Sequence, residues 1–347
     1  MAIATFQAIR VLGGAIASFV VALMITPLVT NLIMRLQMKK QIRTSDSAPI
    51  FARLHKDKAG TPTGGGIIIW GTVAIVAGFF GLMKGLDFID RAQTYLPLAA
   101  FFAAALFGLA DDVMGIMKVG PKGGGISVRQ KLAIYFAMSL VGACWFYWRL
   151  DFTSLTVPFW GTVDMGRWYV PFFMFIVIAS AFSVNETDGL DGLAGGVMLF
   201  SFSALTVIAF ALGRYHLATF NATVAGALLA FLWFNIYPAR FFMGDTGSMA
   251  LGITLGVTAM LTNTALFLPF FALVPIVETL SVIVQLTSKK LRGKKIFHST
   301  PIHHHFEAIG WPESQITMRF WIVSAVASII GLVVFFLNLV FMKSGLF

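Results

Sequence analysis

The sequence predicts an all-α polytopic membrane protein of about ten transmembrane helices, on three observations. Of its 347 residues, 58% are hydrophobic and 12% charged, with a mean hydropathy of +0.85, whereas soluble domains run near ~45–50% apolar. The apolar residues gather into repeated runs close to the ~20 residues that a helix needs to cross the hydrocarbon layer. Lys and Arg crowd into every second loop between those runs. No long polar segment is left over, so residues 1–347 are read as a single integral membrane domain.

Hydropathy places the ten stretches at about 11–34, 65–83, 94–110, 132–148, 169–184, 193–212, 217–236, 248–268, 270–288 and 320–341. Met1 to Arg10 has no basic segment followed by a small-residue cleavage site, so the first stretch is expected to be a retained helix. The odd-numbered loops hold 18 of the 25 Lys and Arg, from Arg35 through Lys58, Lys118 through Lys131, Arg240, and Lys289 through Arg319. The positive-inside rule therefore puts those loops in the cytoplasm and both termini outside. The outer segment 149–167, mixing Thr, Val, Phe, Trp, Pro and Gly, is expected to form a short hairpin. No inverted internal repeat is visible. Cys144 is the single cysteine, so no intrachain disulfide can form. The net charge of +10 is accounted for by membrane orientation, and the expected partner is the lipid bilayer, with no nucleic acid.

The acids stand beside the apolar stretches on the cytoplasmic side, the layout of a membrane-embedded phosphotransferase site. Asp111-Asp112 follows the third stretch; a solvated helix end competes there with a magnesium or base site, since Mg2+ takes one or two carboxylates together with substrate phosphates. Asp245 in Phe242-Met243-Gly244-Asp245 is either an N-cap or a ligand, and the flanking glycines admit a diphosphate close to the backbone. Asn185 to Gly196 carries the densest polar load. Asp188 and Asp191 are three apart, so a helical turn would present both on one face, with glycines leaving space above.

The last cytoplasmic loop contains His303-His304-His305. Consecutive histidines rarely aim three rings at one ion and no cysteine has finger spacing, so a phosphate-contacting cluster is favoured over zinc. In the first loop, Lys56 and the glycine-rich run from Gly60 to Gly66 read alone as a helix-entry turn. Together with Lys131 they fit a phosphate-binding mouth.

These residues resemble the polyprenyl-phosphate N-acetylhexosamine-phosphate transferase superfamily over nearly the whole chain. The resemblance rests on Gly60-Thr61-Pro62-Thr63, Asp111-Asp112, Asn185 with Thr187 to Ala194, and Phe242 to Asp245. It also rests on Pro301 to Glu307 with Gly310-Trp311-Pro312-Glu313, a run typical of the muramoyl-pentapeptide branch. Glu186 stands where that pattern usually has an apolar residue, and Gly64 where it usually has Met.

The resemblance implies transfer of phospho-MurNAc-pentapeptide from UDP-MurNAc-pentapeptide to undecaprenyl phosphate at the bacterial inner (cytoplasmic) membrane, forming lipid I and UMP with Mg2+ as cofactor. By the family pattern Asp245 is the main Mg2+ ligand, and Asp111 and Asp112 act as base or as further metal partners. His304 joins the catalytic group. Asn185, Asp188, His303, His304 and His305 hold the nucleotide-sugar diphosphate, while Lys131, Lys56 and Thr61 offset or cradle its charge. Gly189, Leu190, Asp191 and Phe242 frame the uracil. Direct attack by the lipid phosphate and a covalent aspartyl intermediate both stay open. A homodimer is the one protein partner admitted. A sister enzyme using UDP-N-acetylglucosamine and a secondary transporter are the rival readings.

Overall fold

A computed structural model describes residues 2–38, 58, 60–82, 94–121 and 124–344. The helices are α1 (Ala2–Arg35), α2 (Gly66–Leu82), α3 (Tyr95–Ile116), α4 (Val128–Arg149), α5 (Tyr169–Thr187), α6 (Leu193–Ala211), α7 (Tyr215–Asn235) and α8 (Asp245–Leu261). They continue as α9 (Leu268–Phe271), α10 (Leu273–Arg292), α11 (Ile302–Ala308) and α12 (Glu313–Ser344). Seven of these are long and apolar enough to cross a membrane, and an eighth span results if the bent pair α9–α10 counts as one. The protein is an all-α polytopic membrane protein.

The helix ends depart from the hydropathy reading for identifiable reasons. The first helix starts at Ala2 rather than near 11, because Arg10 is accommodated within it by a 2.7 Å contact to His216 on α7. The third runs past 110 to Ile116 because both acids in its last turns find partners. The last begins at Glu313, seven residues before the expected start, with that acid held by Lys58. The stretch predicted at 270–288 is interrupted near its start by a break at Ala272, where α9 and α10 differ in direction by 90°. Pro275 has no N–H to give the Phe271 carbonyl. Ser201 Oγ on α6 donates to that carbonyl instead, at 2.6 Å, so the break leaves no orphan in an apolar setting.

The bundle is organised around α7 and α8. In α7, 83% of the apolar window is buried, against 22% in α1, which presents Leu12, Ile16, Met24 and Leu28 outward. Every residue of α8 from Thr246 to Leu261 is buried between α3 and α5. Small residues permit that approach: a Cβ at Gly108 would strike the Asp245 backbone, and one at Gly252 would strike Ala181. The expected hairpin is present as β1 (Ser154–Val157) and β2 (Gly161–Asp164), antiparallel, with Ser154 opposite Asp164. Asn263 after α8 and Asn338 on α12 accept from its Thr156 and Phe159 N–H groups.

Helices α3, α5, α7 and α10 end, and α4, α6, α8 and α12 begin, at the same end of the bundle. Twenty-two residues of α4 separate that end from the hairpin, a rise of about 33 Å. One face of the bundle therefore collects all the polar loops treated below.

Candidate active site

Four helix ends build a carboxylate centre. Ser127 and Gln130 form a capping box that starts α4 and puts Lys131 in its first turn. From there Lys131 Nζ reaches Asp111 Oδ2 on α3 at 2.7 Å and Asp245 Oδ2 on α8 at 2.6 Å. Asn185, in the last turn of α5, donates from one amide nitrogen to Asp245 Oδ1 at 2.5 Å and to Ser248 Oγ at 2.9 Å. Asp111 Oδ1 accepts the Ile126 N–H at 2.5 Å, which ties the loop before α4 to α3. Two carboxylates thus converge on one ammonium, leaving a net negative charge at the helix mouths. Asn185, expected beside Asp188 on the diphosphate, orients Asp245.

The paired acids are not equivalent. Asp112 accepts the backbone N–H groups of Asp245 (3.1 Å) and Thr246 (3.0 Å), so the cap of α8 comes from α3 and not from Asp245 itself. Phe242 N–H to the Pro62 carbonyl, and Gly65 and Gly66 N–H to the Phe242 and Met243 carbonyls, each at 2.8 Å, zip the glycine-rich loop onto the strand of chain that leads into α8. A Cβ at Gly66 would collide with Gly247, which is why glycine stands on both sides of that seam. Thr61 is half-buried in this loop, its N–H on the Lys58 carbonyl at 3.1 Å.

Lys56 lies outside the described residues. Its neighbour Lys58 is the lysine that the structure brings into the site: its Nζ contacts Asp191 Oδ1 at 2.6 Å and Glu313 Oε1 at 2.5 Å, and lies 5.7 Å from the centre of the Phe242 ring. Nothing in the sequence singles out Lys58 from Lys56. The segment Asp188 to Gly192 is a turn between α5 and α6, not a helical turn, so the two acids do not share a helix face. Asp188 is half-buried, whereas Asp191 is buried and also accepts the Ala239 N–H at 3.0 Å. Leu190 points into a small apolar cluster with Leu193, Val197, Val274 and Ile316. Thr317 and Trp321 of α12 donate to the Asp191 and Gly192 carbonyls, fixing the turn from below.

The three histidines have three different settings. His303 is fully buried, its Nδ1 3.0 Å from Glu278 Oε2, and its ring edge lies where a Gly189 Cβ would be. Burial opposes its protonation, but the contact to Glu278 and the charges of Glu307 and Glu186 together outweigh that and raise its pKa. His304 Nδ1 meets Glu307 Oε2 at 2.6 Å. Burial pushes the Glu307 carboxyl up to about 7, against the lowering effect of His303. His305 stacks on His298 at 5.3 Å; burial, then the His298 charge, lowers its pKa. The three rings therefore have separate partners: His303 supports the Gly189 turn from beneath, His304 meets Glu307 and His305 stacks on His298.

A family model described as glycosyl transferase family 4 matches residues 94–263, the segment from α3 to just past α8 that carries the carboxylate centre. The phospho-N-acetylmuramoyl-pentapeptide-transferase of Clostridium perfringens (strain 13 / Type A) is 38% identical over 319 residues, 91% of this chain and 96% of its own. That of Clostridium novyi (strain NT) is 38% identical over 332 residues, 95% and 97%. The chain belongs to the phospho-N-acetylmuramoyl-pentapeptide-transferase family. The same enzyme of Chloroflexus aurantiacus (strain ATCC 29366 / DSM 635 / J-10-fl) is 38% identical over 336 residues, 93% of this chain and 89% of its own. The chain is a multi-pass membrane transferase, and the alignment covers both the carboxylate centre and the histidine loop.

Proposed function

We propose that the chain transfers phospho-N-acetylmuramoyl-pentapeptide from its UDP carrier to undecaprenyl phosphate, giving lipid I and UMP, on the cytoplasmic face of the bacterial inner membrane. Membership of the family, with relatives aligned over 91–95% of the chain, supports the reaction. The observation that carries its location in the molecule is the convergence of Asp111 and Asp245 on Lys131 at the mouths of four helices. A polyprenyl tail must stay in the bilayer while its phosphate reaches a water-soluble donor, and acids at helix mouths meet both demands.

In this reading an oxygen of the lipid phosphate attacks the donor phosphorus that carries the sugar. The new P–O bond forms as the bond to the UMP oxygen breaks, and UMP leaves with the electron pair. Such transfer depends chiefly on positioning and on neutralising the charge that develops on oxygen. Lys131 supplies a fixed ammonium, Asn185 holds Asp245 in one rotamer, and Asp112 keeps the start of α8 in place. Among the described residues no three His, Cys, Asp or Glu side chains form a metal cluster. Two hard carboxylates with excess negative charge still fit Mg2+, which takes few protein ligands and completes its shell with phosphate and water. Asp245 and Asp111 would hold the ion, and it would neutralise the donor diphosphate. Asp188, Phe242 and the turn at Gly189 line the side on which the nucleotide lies, with Lys58 behind them.

The orientation rests on the basic residues of the odd-numbered loops, of which the described Arg35, Lys58, Lys118, Lys131, Arg240 and Lys289 lie at the end of the bundle that carries the acids. With that end cytoplasmic, α2 and α8 are the short crossings that complete ten spans, and both termini lie outside. UMP release by purified protein in detergent tests the function. Release with UDP-MurNAc-pentapeptide that requires undecaprenyl phosphate is expected; release with UDP-N-acetylglucosamine alone as donor would move the chain to the sister activity.

A further inference from the structure

Glu278 is the single Asp or Glu within the ten apolar stretches read from the sequence. A carboxylate in such a setting is costly and calls for a named partner. It is fully buried on α10, in a polar stripe with Ser281, Gln285 and Ser288 that faces the loop bearing the histidines. Gln285 accepts the Ile296 and Phe297 N–H groups and donates to the Phe297 carbonyl, and Ser288 donates to the Lys294 carbonyl. Those contacts clasp the backbone of the loop. Glu278 does something different: its Oε2 lies 3.4 Å from the His303 N–H and 3.0 Å from His303 Nδ1, so it holds backbone and ring of one residue together.

The opposite edge of that ring fills the space that a side chain at Gly189 would take. Neither ring nitrogen of His303 nor Glu278 Oε1 has a hydrogen-bond partner among the described residues, so the ring is held by its 3.0 Å ion-pair contact to Glu278 Oε2. The pair is thus a wedge between a helix and the Asp188–Gly189 turn, with no other visible task. We propose that Glu278 is a positioning residue for donor binding: through the His303 ring it sets the height of the Asp188–Gly189 turn on which the uridine diphosphate portion of the donor rests. This inference rests on the transferase reading above.

The test is steady-state kinetics of UMP release together with melting of the purified protein. Glu278→Gln should raise KM for the UDP donor by about tenfold while kcat changes much less, the signature of lost ground-state binding. His303→Gln should do the same, and the double variant should be no worse than either, because both break one link. Gly189→Ala pushes on the ring from the other side and should reproduce the KM effect, which keeps the idea testable if Glu278→Gln does not fold. A lowered melting temperature with an unchanged donor KM in these variants would show a packing pair only and overturn the proposal. If the parent releases no UMP, the transferase reading fails, and direct UDP binding decides the positioning role. A Kd about tenfold weaker in Glu278→Gln supports it, and an equal Kd overturns it.

Discussion

The Asp112 carboxylate caps the helix that begins with Asp245, accepting that residue's N–H at 3.1 Å and the next one at 3.0 Å. Adjacent acids on one helix thereby take different tasks: Asp111 faces Lys131, and Asp112 builds the platform on which Asp245 stands. Anions at a helix N-terminus also gain from its dipole.

Isosteric amides should separate these tasks. Asp245→Asn and Asp111→Asn should each lower kcat by at least about a hundredfold, the scale of losing one charge-stabilising group. Asp112→Asn replaces one accepting oxygen with an NH2 that faces a backbone N–H, so it should also cost about 1–2 kcal/mol of stability. Melting curves in detergent for the three proteins check this. Equal melting temperatures for Asp112→Asn and the parent would remove the cap role.

Lys58 binds two carboxylates that have little access to water, Asp191 and Glu313. Lys58→Met strands both, and losing one partner of a buried ion pair costs on the order of 3–5 kcal/mol. The expected result is a large drop in melting temperature with a raised KM for the UDP donor. Adding Glu313→Gln should restore part of the stability, since one stranded charge disappears. No recovery in the double variant would mean that Lys58 acts through something other than this pairing.

The helical bundle and the gathering of its acids at helix ends were legible from hydropathy and charge, because both signals are local and additive along the chain. Asp111, Lys131, Asn185 and Asp245 were legible as residue types that suit one chemistry. Their division of labour was not. That Asp112 caps a helix lying 133 residues further on, or that Ser201 satisfies the carbonyl freed by Pro275, depends on which helices pack together. The separate settings of the histidines were hidden for the same reason: three identical side chains are distinguished only by Glu278, Glu307 and His298, which reach them from three places in the sequence. Glu278 was not among the candidate site residues, although an acid inside an apolar stretch is a local signal; its partner carries none.

Metal dependence and orientation are checked together on intact vesicles and purified protein. Chelation with EDTA should abolish turnover, and Mg2+ or Mn2+, but not Zn2+ alone, should restore it, as hard oxygen donors require. Full turnover after exhaustive chelation would end the metal assignment. In a Cys144→Ser background, His298→Cys should be labelled only from the cytoplasm and Trp160→Cys, on the exposed hairpin, only from outside. Reversed labelling would invert the topology.

The Glu307 carboxyl gives the stability of the fold a pH dependence whose sign is set by burial. Its pKa rises from 4.5 to about 7 on folding, so the folded state binds the proton more tightly than the unfolded one. That contribution is complete below about pH 4.5 and is lost as pH rises through about 7. His303, whose pKa is also raised, works in the same direction. The parent protein should therefore lose melting temperature between pH 5 and pH 8 (roughly the window over which Glu307 gives up its proton). Glu307→Gln keeps an oxygen for His304 Nδ1 but cannot ionise. Its melting temperature should fall less over the same interval and should equal or exceed that of the parent at the alkaline end. Two parallel melting profiles would show that Glu307 does not titrate in this range.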